Sequence, residues 1–260
     1  MKKLVFCMIL SSLLLISSVA FSYPFTATID DNDYDGSENA FWGGEVVGPQ
    51  KNNYLNKDVI GEGFGVDQMI ITKLGDHDWT VVLSGPYFDN YQKNNHLANQ
   101  FPPGDLYINS KGWSASGVAP HYAGDTFSLS EGWDYVVTNG SSGWGLYTLT
   151  DSYLDTWAPN NTQYTYRDNQ AWMGGAGEKI GSATYNLSNY ASGNTLTFTF
   201  NTGSYNWTDT VGFHWTMKCG NDVLEGTIST PAPPQVPEPS TLLLLGLGLT
   251  GVAVYKKFRS

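Results

Sequence analysis

Along most of the interior of the chain, apolar and polar residues alternate with a period of two. Thr195-Leu196-Thr197-Phe198-Thr199-Phe200 sets Leu196, Phe198 and Phe200 on one face and threonines on the other, the pattern of a half-buried strand. Phe213, Trp215 and Met217 alternate with His214 and Thr216 in the same way. Further strands are predicted over Gln68–Leu74, Trp79–Ser84, Asp105–Asn109, Trp133–Thr138, Trp144–Thr150 and Ala183–Leu187. Gly75-Asp76, Gly85-Pro86, Pro102-Pro103-Gly104, Gly174-Gly175 and Ser192-Gly193-Asn194 punctuate them as turns. Asn139-Gly140 marks a hairpin whose loop, running on to Gly143, is longer than two residues. No long stretch between the two termini repeats with the helical period. Many short strands joined by glycine-rich turns predict an all-β, sandwich or jelly-roll-like body.

The two ends follow another pattern. Lys2 and Lys3 precede an apolar run from Leu4 to Phe21, and Ala20 and Ser22 supply the small residues a signal peptidase requires. Residues 1–22 therefore read as a signal peptide for the export machinery. Near the other end, Thr241 to Tyr255 carries no charge, and Lys256, Lys257 and Arg259 follow. A helix of that length reaches about 22 Å, short of the ~30 Å hydrocarbon core, as suits a temporary stop-transfer segment. Residues 241–260 thus read as a single membrane helix with a basic tail. A proline-rich linker, 231–240, joins it to a body spanning 23–230.

Val236-Pro237-Glu238-Pro239-Ser240, the leucine- and glycine-rich segment and the basic end, in that order, resemble a PEP-CTERM sorting signal. The resemblance covers about a tenth of the chain. It implies export in a Gram-negative bacterium, recognition of the Pro-Glu-Pro site by the membrane enzyme exosortase, removal of the tail, and a final place at the cell surface or in the extracellular matrix. Four internal blocks resemble those of one group of PEP-CTERM surface proteins. They are Phe41-Trp42-Gly43-Gly44, Asp58-Val59-Ile60-Gly61, Gly104 to Ile108 with Gly112-Trp113, and Phe213-His214-Trp215 through Cys219-Gly220-Asn221-Asp222 to Glu225-Gly226. That group brings no activity and no catalytic residue.

Charge is distributed unevenly. Five of the 13 Lys and Arg lie in the two terminal segments against one of the 24 Asp and Glu, leaving the body a net charge of −15. Such a surface repels nucleic acid and anionic lipid, so no nucleic-acid partner is expected and membrane contact is confined to the C-terminal helix. Without the leader, Cys219 is the only cysteine, so packing rather than an internal disulfide must hold the body. Its thiol is either buried and inert or free to cross-link two chains.

Little in the middle of the chain points to chemistry. Asp31-Asn32-Asp33-Tyr34-Asp35-Gly36 sets carboxylates at alternate positions of a tight loop, so Asp31, Asp33 and Asp35 are candidate calcium ligands. An EF-hand is excluded because Trp42 stands where its bidentate Glu belongs. The competing reading is a turn at the entrance to the body. Asp76-His77-Asp78 fits a metal or a base, but equally a solvated turn between strands. His77, His96, His121 and His214 have no zinc-enzyme spacing, and no nucleophile elbow is present.

Aromatics are abundant, with nine Trp and 16 Tyr. Their amphipathic rings serve either as sugar-stacking platforms or as core filling with polar rims. The sequence as a whole predicts a non-enzymatic surface or extracellular-matrix protein, structural or weakly glycan-binding in an exopolysaccharide or biofilm layer. A secreted polysaccharide hydrolase is the alternative.

Overall fold

The computed structural model describes residues 24–30, 40–42, 65–93, 101–113, 127–157, 170–188, 194–205, 207, 210–218, 223–230, 246–248, 251 and 255. The chain divides into two compact units: Tyr23–Pro231, and the two ends, Met1–Ser22 with Ala232–Ser260. In the terminal unit, residues 246–248, 251 and 255 are helical. Among the described residues no helix is long and apolar enough to cross a membrane.

The larger unit is nearly all β. Its strands are β1 (Phe25–Asp30), β2 (Ala40–Trp42), β3 (Gln68–Lys73), β4 (Asp78–Ser84), β5 (Leu106–Asn109), β6 (Tyr135–Gly140), β7 (Gly143–Leu149), β8 (Asp155–Trp157), β9 (Gln170–Met173), β10 (Ala176–Ser188), β11 (Thr195–Asn201), β12 (Thr210–Thr216) and β13 (Val223–Ser229). Among the described residues a short helix, α1 (Pro86–Lys93), and a 3-10 turn at Leu129–Glu131 accompany the strands. Eleven strands form one sheet in the order β1-β3-β4-β11-β10-β7-β6-β5-β12-β13-β2, and β8 pairs with β9 separately. Every pairing among the described residues is antiparallel.

Where the alternating pattern predicts two layers, the structure has one continuous sheet that turns back on itself through β10. The C-terminal half of this long strand, Ala183 to Ser188, pairs with β11, whereas Ala176 to Ser182 pairs with β7 through shifts of register. Gly181 stands at the changeover. A Cβ there would lie 1.8 Å from the Asn201 carbonyl oxygen, so only glycine admits the two neighbouring strands so closely. The turn-back brings β1 alongside β13.

Both arms of the folded sheet face one core. Met69 and Ile71 of β3, Val81 and Leu83 of β4, and Leu196, Phe198 and Phe200 of β11 meet Leu106, Ile108, Val137, Leu146, Phe213 and Trp215 from the other arm. Trp79 and Phe213, 6.2 Å between ring centroids, join the two directly. Each such fully buried side chain contributes about 1.5–3 kcal/mol relative to exposure. Helix α1 plugs the same core, with the Tyr87 hydroxyl donating to the Phe101 carbonyl at 2.7 Å and Tyr87 and Phe88 both against Trp215.

The hairpin between β6 and β7 differs from the reading of Asn139-Gly140 as its tip. Gly140 pairs with Gly143, so the loop is the two residues Ser141 and Ser142, and Asn139 lies in the strand opposite Trp144. Gly143, at φ 77°, supplies the left-handed residue that lets the strand resume.

Candidate functional site

The arm containing β5, β12 and β13 is buried on both faces. On β12, Phe213 and Trp215 enter the main core while His214 points the other way; on β5, Leu106 and Ile108 likewise flank Tyr107. The second face is covered by Trp113, Phe127 and Trp133 from the connecting segments and by Ala171 of β9, forming a smaller aromatic cluster.

At its centre sits an acid–imidazole pair. Register aligns Tyr107 of β5, His214 of β12, Glu225 of β13 and Phe41 of β2 in one row across four strands. His214 is 0% and Glu225 1% exposed. The imidazole Nδ1 meets the Glu225 Oε1 in a short contact, and Nε2 lies 2.8 Å from the Ala171 carbonyl oxygen. A carbonyl can only accept, so Nε2 carries a proton. The Nδ1–Oε1 contact then needs one further proton shared by the pair, which is imidazolium–carboxylate or imidazole–carboxylic acid. Around the ring stand Phe127, Tyr107 and Trp133, at centroid distances of 4.9, 5.6 and 5.7 Å.

The covering segments are pinned by further buried polar groups. Asp105 accepts from the Thr138 hydroxyl at 2.6 Å and the Gly174 amide at 2.9 Å, while its own amide donates to the Trp172 carbonyl at 2.7 Å. Burial pushes its carboxyl up to about 6, against the pull of those two hydrogen bonds. Burial, then the nearby carboxylates of Asp105 and Asp155, push the Tyr107 phenol well up. Gly104 precedes this network because a Cβ there would meet the Thr216 and Trp172 carbonyl oxygens at 2.2 and 2.5 Å.

On the other side, Ser128 caps the 3-10 turn and Glu131 closes the box by accepting from the Ser128 amide at 3.2 Å. The same Glu131 carboxylate accepts from the Trp133 indole at 3.1 Å, orienting one wall of the aromatic cage. Thr227 accepts from the Trp113 amide and donates to the Trp113 carbonyl, fixing another. This arrangement locks loops onto a sheet face around a shared proton.

Asp31, Asp33 and Asp35 lie outside the described residues, as do Cys219 and the sorting residues Val236, Pro237, Glu238, Pro239 and Ser240. Among the described residues no group of three His, Cys, Asp or Glu side chains could hold a metal ion. His77 ties the β3–β4 turn to the segment after β11, its Nδ1 lying 3.2 Å from the Thr202 hydroxyl and 3.3 Å from the Tyr205 carbonyl. Asp78 accepts from the Asn201 amide at 2.6 Å. Most indoles fill the interior, since Trp79, Trp113, Trp133, Trp172, Trp207 and Trp215 are buried. Half-buried Trp144 stacks on Tyr185 at 4.6 Å.

Sequence reasoning did not single out His214, Glu225 or Asp105 as a centre. The signal lay in the internal blocks: Phe41-Trp42, Gly104 to Ile108 and Phe213 to Gly226, distant along the chain, become neighbouring strands in register.

A family model described as the PEP-CTERM protein-sorting motif matches residues 235–257. The chain carries this motif, which marks exported proteins directed to exosortase and the cell surface. No curated protein and no solved structure shows a significant match to the chain.

Proposed function

We propose that the chain is a non-enzymatic surface or extracellular-matrix protein that works in an exopolysaccharide or biofilm layer as a structural or weakly glycan-binding component. The observation that carries this reading is the sorting motif at residues 235–257. In this proposal residues 1–22 are a signal peptide, Thr241 to Tyr255 is a membrane helix that presents the signal, and exosortase acts at Val236–Ser240. The body is then an all-β unit released or attached outside the cell, with anchoring in the inner membrane only before processing.

Support for the non-catalytic part comes from how the acids and the imidazole are used. His214, Glu225 and Asp105 are committed to holding loops on a sheet and are buried. The net charge of −15 in the body favours solubility outside the cell and contact with neutral rather than anionic polymer.

The test is fractionation of an exosortase-bearing host expressing the full chain, Glu238→Ala, or a deletion of Thr241 to Ser260. The full chain should appear at the surface or in the medium with a shortened C-terminus. Glu238→Ala should remain unprocessed in the membrane fraction, and the deletion should bypass it. Identical processing and fractionation of all three would refute the reading.

A further inference from the structure

Strand β9 is tied onto the large sheet rather than woven into it. It pairs with β8 in a sheet of its own, and its ties to the neighbouring strands run through ionisable residues. The Trp172 carbonyl accepts from the Asp105 amide at 2.7 Å, and the Gly174 amide donates to the Asp105 carboxylate at 2.9 Å. His214 Nε2 donates to the Ala171 carbonyl at 2.8 Å, and the Tyr107 hydroxyl adds a longer bond, 3.5 Å, to the Gly174 carbonyl. The chain then passes through Gly174 and Gly175 at φ 93° and 77°, left-handed conformations that cost glycine nothing. The Gly175 carbonyl is held by the Thr150 amide at 2.8 Å. β9 is thus a strap with a glycine hinge at one end and its fastenings on buried titratable groups.

These fastenings respond to protons. Asp105 turns Oδ2 to both Thr138 and Gly174, while Oδ1 makes no hydrogen bond among the described residues. Oδ1 can therefore take a proton without costing either bond. The closed strap withholds water from the carboxylate, and lifting it restores that water. Burial outweighs the two hydrogen bonds and raises the carboxyl from 3.8 to about 6. Closure is then favoured in full below 3.8, weakens as the pH rises to about 6, and levels off above. The His214–Glu225 pair acts in the same direction. Once its shared proton leaves, Nε2 keeps the Ala171 bond only by setting the Nδ1 lone pair against a carboxylate. Tyr107 of β5 and Tyr185 of β10 also face Asp105, and burial pushes both phenols up, so they stay protonated. Asp155 of β8 lies near Tyr107, and the Lys218 ammonium sits over the Trp172 ring at 5.4 Å.

We propose that β9 is a pH-gated strap, closed over Asp105 and His214 in acid and lifting about Gly174-Gly175 as the medium becomes neutral. Ala171 belongs to the cover of the second, aromatic face, so lifting uncovers His214 and Tyr107 within it. The device is built into the folded body and does not depend on how the chain is sorted.

The experiment is amide hydrogen exchange on the full chain from about pH 4 to about pH 7, in low concentrations of urea and corrected for intrinsic exchange rates. The Asp105 and Gly174 amides report the strap. The Leu196 and Phe198 amides of β11, a strand paired on both sides, report global unfolding. The strap amides should open with a smaller urea dependence than the β11 amides, as expected of a local movement. Their opening constant should rise with pH by more than about threefold, with about fiftyfold as the ceiling that the Asp105 shift allows. Asp105→Asn keeps an acceptor for both donors and removes the charge, so it should flatten that rise. Strap amides that share the β11 urea dependence would overturn the proposal. So would an opening constant that changes by less than about threefold, or an Asp105→Asn rise equal to that of the wild type.

Discussion

Replacing His214 by Leu probes the buried pair most directly. The substitution removes the ring that shares a proton with Glu225, a carboxyl 1% exposed, and takes the donor from the Ala171 carbonyl. Breaking a buried pair from one side costs about 3–5 kcal/mol, a large part of the roughly 5–15 kcal/mol that holds a domain folded. With a urea dependence of about 2 kcal/mol per M, the midpoint should fall by about 2 M. Replacing both partners, in His214→Leu/Glu225→Leu, removes the buried carboxyl as well. The Ala171 carbonyl still lacks its donor, a loss of about 1–3 kcal/mol. The double variant should therefore be more stable than His214→Leu, with a coupling of about 2 kcal/mol in the cycle. Urea unfolding followed by tryptophan fluorescence measures all four proteins, since Trp133 lies 5.7 Å from the imidazole. A loss below about 1 kcal/mol in His214→Leu, or a double variant no more stable than it, would refute the shared-proton account.

Other outcomes follow from neighbouring features. Asp105, raised to about 6 in the folded protein against an ordinary value of 3.8, ionises first in the unfolded chain, so its contribution to stability should fall as pH rises from about 4 to 6 and level off above. The difference is about 3 kcal/mol at most, and Asp105→Asn should flatten that slope while leaving stability at neutral pH no lower by more than about 1 kcal/mol. Gly181→Ala should cost about 3 kcal/mol or more in the same unfolding assay, because the Asn201 carbonyl occupies the place of the added methyl; a near-neutral result would mean that β10 does not turn at that residue. Millimolar calcium should raise the melting temperature if the Asp31, Asp33, Asp35 loop binds the ion, and Asp33→Ala should abolish the rise.

Strands were legible where apolar and polar side chains alternate along the chain. Thr195 to Phe200 reads correctly with one face buried and the other more open, and Phe213 to Thr216 because residue types alternate there although both faces are buried. β13 did not read as a strand: Val223-Leu224-Glu225-Gly226 is buried on both faces, so its pattern has no polar half. Helix α1 was missed because its eight residues are too few to establish a period. The loop length at the β6–β7 hairpin was misjudged since Asn139-Gly140 is a strong turn signal even where the chain keeps it in a ladder. The sorting signal was readable because its three parts are contiguous. The His214–Glu225 centre was not, since pairing across strands follows from register, which single-strand patterns do not report.

The position of β13 bears on how the body withstands force. Beyond Thr230 the sequence turns proline-rich, so a pull from that side is delivered to β13 first. Had the last strand been an outer one, tension could strip a single ladder. Instead it is flanked by β12 along seven paired positions and by β2 along three. Detaching it means shearing both, together with the Thr227 and Glu225 contacts, so tension applied at that end meets a strongly held strand.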